Sequence, residues 1–366
     1  MEIRYLHLNN FRNYRDLNIS FYSGLNLITG ENAQGKTNLL EAINYLSLVR
    51  SHRAAKDSEL IKWKEEFFNI RAKINKNNGD LDLFITYKDR KKNVYINNNK
   101  ITKFADLLGI VNTIIFTPED LVLAKGSPFF RRRFLDQFIS QIDYKYFYFL
   151  QNYHRILKQK NNSLKQNLDQ KRQIIEVWNE QLKESGSQLI LKRWKVLSRL
   201  NEIIGPIHHQ ISGKREKVEI IYQPSINIKE EEADLNYIKG RYCYFLNKYA
   251  KLELERKISF VGPHRDDFIF LIDGMDLKTF GSQGQQRTAV LSLKIAQLEL
   301  MKELTEEYPL LLMDDVFSEL DETRRKNLLL HLKEKVQTFI TTSQPIQLGD
   351  NLFYKEFIVK QGKILE

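Results

Sequence analysis

The chain holds a single cysteine, Cys243, among 366 residues. One thiol excludes an intrachain disulfide and any cysteine-cluster metal site. No apolar run approaches the roughly 20 residues that span a bilayer, and Met1-Glu2-Ile3-Arg4 lacks the basic-then-apolar pattern of a secretory signal. The expected setting is therefore the cytoplasm, with no membrane partner. Apolar heptads are not sustained, which excludes a long coiled coil. Carboxylates and histidines do not cluster on strands beyond Asp266-Asp267, so little supports a metal-dependent nuclease. Nor is there a glycine between Gly126 and Gly186.

What is present is length and positive charge. The chain can form two domains, or one split domain with a sizeable core. Its net charge of +11 and pI near 9.3 point to phosphate-rich partners, nucleic acid or anionic membrane.

The order of elements is legible from periodicity. Residues 3–9, 17–21 and 25–28 read as strands, and Leu39, Leu40, Ile43, Leu46 and Val49 then fall on one helical stripe. Residues 68–72, 81–85, 94–96, 100–101 and 114–116 return to β character. From 128 to 205 the pattern is helical, read as two long helices with a polar break near Asn161-Asn162, forming either a projecting arm or an ordinary subdomain. A mixed region follows Gly205-Pro206, with a strand at 218–222 and an amphipathic helix from Glu230 to Leu254. The last hundred residues read as a nucleotide-binding core.

Three segments carry chemistry. Gly30-Glu31-Asn32-Ala33-Gln34-Gly35-Lys36-Thr37 satisfies G-x-x-x-x-G-K-[ST] and lies between a strand and a helix. Glycines let backbone N–H groups curl around phosphates, and the following helix N-terminus favours negative charge. Lys36 is placed to reach the β- and γ-phosphates of ATP, and the Thr37 hydroxyl to ligate Mg²⁺. Pro309 to Asp315 is an apolar strand ending in two acids: Asp314 would hold Mg²⁺, and Asp315 would orient or activate water. Between them, Ser282, Gly284 and Gln285 open an apolar helix, readable as an anion site or as a plain helix cap.

The order of P-loop, Ser-x-Gly-Gln, tandem aspartates and Ser318-Glu319-Leu320-Asp321 resembles an ABC-type ATPase. Ser282 lies far beyond Lys36, and such a split head resembles the SMC-type ATPases that act on DNA. Leu8 to Tyr14, Gly30 to Asn38, Phe116 to Leu121, Gly262 to Asp267, Gly284 to Arg287 and Leu312 to Asp321 together resemble the RecF family from end to end.

That resemblance implies an α/β fold: an ABC/SMC-type P-loop head split in sequence (1–117 and 256–366), with an inserted, mainly helical second lobe (118–255). It implies a weak Mg²⁺-dependent ATPase used as a switch, and an ATP-dependent homodimer. The dimer would bind double-stranded DNA and single-strand/double-strand junctions and, with RecR and RecO, help load RecA. Ser282 and Gly284 would cap ATP in trans, Ser318 and Asp321 would serve the dimer, and Arg12 and Asn38 would lie at the nucleotide. Thr341-Thr342 stands where ABC ATPases carry a histidine, Asp315 where most carry Glu, and Glu119 near the missing glutamine. Arg131, Arg132, Arg133, Arg155, Lys158 and Lys160 are expected either to contact DNA or to form a solvated helix face. Gly262 to Asp267 receives no individual roles. A transporter subunit and an ATP-driven nuclease are the rival readings.

Overall fold

The computed structural model describes residues 1–166, 171–213, 216–228, 234–332, 335–344 and 353–365. The chain divides into two compact units, Met1–Asp120 with Gln210–Lys214 and Leu291–Glu366, and Leu121–His209 with Arg215–Val290.

The first unit opens with β1 (Glu2–Phe11), β2 (Tyr14–Ser20), β3 (Leu25–Thr29) and helix α1 (Lys36–Leu48). Alternation sets the faces: Leu6 and Leu8 are buried, while His7 turns outward to Asp16. The expected α1 stripe of Leu39, Leu40, Ile43 and Leu46 is fully buried, and the helix ends where Val49 turns left-handed. Then follow β4 (Phe67–Lys76), β5 (Gly79–Lys88), β6 (Lys91–Ile96), β7 (Asn99–Ile101) and β8 (Thr113–Phe116). One antiparallel sheet runs β2-β1-β4-β5-β6-β7.

The second unit contains α2 (Val122–Lys125), α3 (Pro128–Ile142), α4 (Tyr144–Lys165), most of α5 (Lys171–Ser212), β9 (Val218–Gln223), α6 (Leu235–Arg256), β10 (Asp267–Ile272), β11 (Met275–Asp276) and α7 (Leu277–Phe280). Helix α8 (Gln283–Thr305) carries residues of both units. The chain ends in the first unit with β12 (Leu310–Asp314), α9 (Glu322–Leu332), β13 (Thr338–Thr342), β14 (Tyr354–Lys360) and β15 (Lys363–Leu365). These complete a second sheet, β15-β14-β3-β13-β12-β8, parallel except at β15. The glycine loop leaves the carboxyl end of β3 inside this sheet, where open α/β sheets place ligands.

Three expectations are corrected. The helical stretch is three helices, and Asn161-Asn162 does not break α4: Asn161 Oδ1 instead accepts from the Ser259 N–H and hydroxyl at 2.9 and 3.0 Å. One break comes at Asp143, whose carboxylate caps α4, and a second follows Lys165, where α4 ends a few residues past the expected point. Helix α5 runs through Gly205-Pro206 to Ser212, so a 42-residue helix bears the lost Pro206 hydrogen bond. Residues 256–290 fall in the second unit rather than with the head, because β10 pairs with β9 along its length. Glu230, the expected start of α6, lies outside the described residues.

Gly262 to Asp267 locks this second unit together. Arg193, 2 % exposed, donates to the Asp136 carboxylate at 2.8 Å and the Pro263 carbonyl at 2.6 Å, and lies 3.4 Å from Asp266. Asp266, buried, also accepts from the Tyr222 hydroxyl and the Ser225 N–H. Asp267 takes Arg131 in a two-point pair at 2.7 Å. His264 Nε2 faces the Ser259 carbonyl at 3.2 Å, so that nitrogen carries the proton and Nδ1 accepts from the Tyr153 hydroxyl at 2.6 Å.

Two outcomes are expected. Asp266→Ala leaves Arg193 buried with one of its two carboxylate partners, a change that costs about 3–5 kcal/mol in urea unfolding; a loss below 1 kcal/mol would sink the assignment. Burial pushes the His264 pKa from 6.5 down to about 3. Because the folded value is depressed, the stability it contributes is complete above pH 6.5 and is lost as pH falls toward 3. His264→Gln should flatten that dependence in melting curves between pH 6.5 and 4.

Candidate functional site

Sterics explain why the loop after β3 needs its glycines. Gly30 sits at φ 142° with the Val359 carbonyl 2.4 Å from where a Cβ would be, and Gly35 at φ 122° with the Asn13 side chain 2.5 Å away. Both close approaches and the positive φ admit only glycine. Asn13 and Asn38 brace the loop: Asn13 donates to the Gln34 carbonyl at 2.8 Å, and Asn38 to Asn13 at 2.9 Å. From the other side the Gly362 N–H donates to the Gln34 carbonyl at 3.1 Å and the Gln361 N–H to its side chain at 2.6 Å.

Lys36 reaches back over the loop to donate to the carbonyls of Gly30 and Glu31 at 2.7 and 2.8 Å. Burial lowers its pKa, against the pull of Asp315 and Asp314. Thr37, at the start of α1, donates to Asp314 Oδ1 at 2.9 Å. Asp314 is delivered by β12, every residue of which is buried, and the same Oδ1 accepts from Thr341 of β13 at 2.7 Å. The Thr341 oxygen in turn accepts the Asp315 N–H at 3.0 Å. One threonine hydroxyl thus ties the tandem aspartates together where a histidine was looked for.

Asp315 is held at φ 51°, a left-handed conformation costly for a residue with a side chain. Its Oδ1 is buried and has no hydrogen-bond partner among the described residues. A strained backbone and an unsatisfied carboxylate oxygen together mark a site that something else completes. Asn32, Ala33, Gly35, Lys36, Thr37, Asn38, Arg53, Asp314, Asp315 and Thr341 line this cleft of about 230 Å³.

Beside it, a second cleft of about 400 Å³ is lined by Arg12, Asn13, Asn38, Arg53 and Lys62, with Trp63, 91 % exposed, at its edge. Glu41 organises the wall. It is fully buried, accepts Arg12 at two points (2.8 and 2.9 Å) and also Ser51, with Arg53 at 3.8 Å. Burial alone would raise its carboxyl; the Arg12 and Ser51 hydrogen bonds outweigh that and hold its pKa below 4.5. Arg12 is therefore spoken for at the nucleotide side, whereas Arg53 joins both clefts with a more exposed guanidinium. Sequence reading missed Arg53, Glu41 and Trp63, since none belongs to a recognisable motif; Arg53 follows α1 in an irregular segment.

In the second unit, Ser282 and Gln285 cap α8 reciprocally: Ser282 N–H donates to Gln285 Oε1 at 2.8 Å, and Gln285 N–H to Ser282 Oγ at 3.2 Å. Ser282 is exposed, and accepting this bond leaves its own hydroxyl proton free to donate. Asp321 caps α9 and pairs with Arg324, and Ser318 donates to the Asp315 carbonyl. Glu119 is exposed, while its neighbour Asp120 pairs with Lys294 at 2.8 Å. Of the basic residues expected at DNA, Arg131 is 3 % exposed and paired with Asp267, and Lys160 is fully buried against Glu253 at 2.6 Å. Both are core ion pairs, which corrects their reading as phosphate contacts. Arg132 is half-buried and donates to the Asp266 carbonyl, and Arg133, Arg155 and Lys158 are exposed.

The comparisons agree with this geometry. The RecF/RecN/SMC N terminal domain family model matches residues 2–358. The "DNA replication and repair protein RecF" of Bacillus cereus (strain G9842) is 43 % identical over 346 residues, 94 % of this chain and 92 % of that protein. That of Bacillus thuringiensis (strain Al Hakam) matches to the same extent. The chain belongs to the RecF family. A solved "recombination mediator protein RecF-ATP in RecFOR pathway" superposes with TM-score 0.90 at 38 % identity, covering 99 % of this chain and 96 % of that one. The Smc head domain from Pyrococcus furiosus, 16 % identical, gives TM-score 0.59 and shows the shared fold alone. The fold is thus the ABC-type ATPase fold of RecF and SMC heads, and no described helix is long and apolar enough to cross a membrane.

Thr341→Val removes the shared hydroxyl at nearly constant volume. The expected result is ATP turnover about 10- to 100-fold slower with ATP affinity little changed and rescue by Thr341→Ser. Wild-type turnover in the valine variant would show that the hydroxyl positions nothing.

Proposed function

We propose that this chain is an ATP-dependent recombination mediator whose nucleotide site is split between two copies. The carrying observation is the first cleft: a glycine-bounded loop at a helix N-terminus, a lysine across its mouth, and a hydroxyl and carboxylate 2.9 Å apart at its base. Loop N–H groups and Lys36 take the phosphates. Thr37 and Asp314 offer the hard oxygen donors that Mg²⁺ prefers, and would hold that ion, which neutralises phosphate charge when bound. Asp315, with its unsatisfied oxygen in the cleft, orients the attacking water. The second cleft receives the nucleoside end of ATP, with Trp63 offering a ring face and Arg53 spanning both clefts.

The exposed Ser282 hydroxyl and Gly284 of a second copy would cap the γ-phosphate, with Gln285 fixing the cap, and Ser318 and Asp321 would also serve the dimer. ATP then bridges two copies, and slow hydrolysis releases them. The likeness to a solved RecF-ATP structure and the family membership support ATP as the ligand. In this reading the dimer binds double-stranded DNA and single-strand/double-strand junctions, with Arg133, Arg155 and Lys158 contributing, and acts with RecO and RecR to load RecA in the cytoplasm. The nuclease alternative loses its only candidate acids, because Asp266 and Asp267 are committed to Arg193, Tyr222 and Arg131.

Mass in solution tests the split site. With Mg²⁺-ATP the wild type should dimerise, Lys36→Arg should remain monomeric through weakened phosphate contacts, and Ser282→Arg should bind ATP yet remain monomeric. Dimers of Ser282→Arg as stable as wild type would remove the trans cap. Trp63→Ala should weaken ATP binding several-fold while leaving inorganic triphosphate binding unchanged; equal losses for both ligands would move the base elsewhere.

A further inference from the structure

Most buried or half-buried cations of the second unit are matched to acids. Arg131 meets Asp267, Lys160 meets Glu253, Arg193 meets Asp136 and Asp266, and Lys192 meets Asp143. One surface breaks that pattern. Along α6 and into the segment before β10, cations and rings alternate: Arg241 lies 5.5 Å from the Tyr244 ring and 5.1 Å from Phe245, Lys248 lies 5.5 Å from Phe245 and 5.8 Å from Tyr249, and Arg265 lies 5.4 Å from Phe260. The rings themselves stack, Phe245 on Tyr249 at 6.2 Å and Tyr249 on Phe260 at 6.4 Å.

The helix period produces this ladder, since 241, 245 and 248 recur on one face. Phe245 is rooted in the apolar cluster of Ile190, Ile238, Tyr242 and Val261, with Tyr249 packed against it. The rings are therefore anchored from below and hold the cations from above. None of the three cations has a carboxylate partner among the described residues; Arg241 donates to the Asn227 carbonyl and Arg265 to the Ser259 carbonyl. A ring or carbonyl fixes a cation without neutralising it; Lys248 and Arg265 are exposed, and Arg241 is half-buried with its Nε enclosed. Lys251, Arg256 and Lys257 extend the charge, and Glu255 is the one exposed acid of this stretch. Like charges held at fixed spacing repel one another, and an anionic polymer relieves that repulsion.

We infer that this ladder is a nucleic-acid backbone site, taking phosphodiester groups at Arg241, Lys248 and Arg265 without reading bases. It rests on the DNA-binding reading above and gives it a location other than the core pairs at Arg131 and Lys160. Preformed cations suit phosphates, whose spacing repeats irrespective of sequence, and the net charge of +11 supplies the long-range field.

The test is fluorescence anisotropy with a 30-residue single strand and a 30-base-pair duplex, each with Mg²⁺-ATP, from 50 to 300 mM salt. Lys248→Gln with Arg265→Gln should weaken both by about tenfold and flatten the slope of log K against log salt by about 0.7–0.9 for each phosphate lost. Lys217→Gln, an exposed lysine paired with Glu219, should leave affinity and slope unchanged. Melting temperature and ATP binding verify folding. Should the double variant not fold, Lys248→Gln alone with rescue by Lys248→Arg gives the same decision. If the wild type binds neither DNA, the mediator reading fails. If the wild type binds and the double variant binds equally, only the ladder assignment is overturned, including the case in which an acidic protein occupies it.

Discussion

The carboxylate of Asp314 is the point on which the nucleotide-binding unit depends. One buried oxygen accepts hydrogen bonds from Thr37 on α1 and from Thr341 on β13, while its own chain arrives on β12. Three elements distant in sequence are thereby fixed to one atom. An ionised acceptor shared by two hydroxyls is stronger than two neutral bonds, and its burial means that losing either donor would leave lone pairs unmet. The P-loop, β12 and β13 therefore keep register because they share this atom.

The second unit solves a similar problem differently. There Arg193 and Asp266 gather α3, α4, α5 and the strands into one buried polar network, with tyrosine hydroxyls filling remaining sites. Such a network favours one arrangement over others because a shifted helix would leave charges unpaired. It also gives the Gly262 to Asp267 motif a place: its acids and histidine are held by Arg193, Arg131, Tyr222, Tyr153 and Ser259.

Much of this was legible beforehand. The P-loop, the tandem aspartates and the strand-to-helix change at Lys36 are local signals, carried by residues adjacent in sequence. What escaped reading depends on long-range partners. Arg12 was expected near the phosphates or adenine, but the partner that holds it in the wall of the second cleft, Glu41, lies 29 residues on. Arg131 and Lys160 read as surface charge because the acids that neutralise them lie 136 and 93 residues away. Asn161 seemed a helix breaker because its partner, Ser259, is invisible to periodicity. Ser282 was open between cap and anion site; its geometry is a cap whose hydroxyl proton remains available.

The bracing of Gln34 by Gln361 and Gly362, and the closeness of the Val359 carbonyl to Gly30, bear on biogenesis. The glycine loop is made well before the atoms that shape it, since Gln361 lies 327 positions beyond Gln34. Closing so long a loop is slow, and a chain that has not yet reached β14 and β15 lacks this brace. A fragment that stops short of these strands lacks the brace on Gln34, so the shape of the loop is a property of the assembled unit rather than of its local sequence.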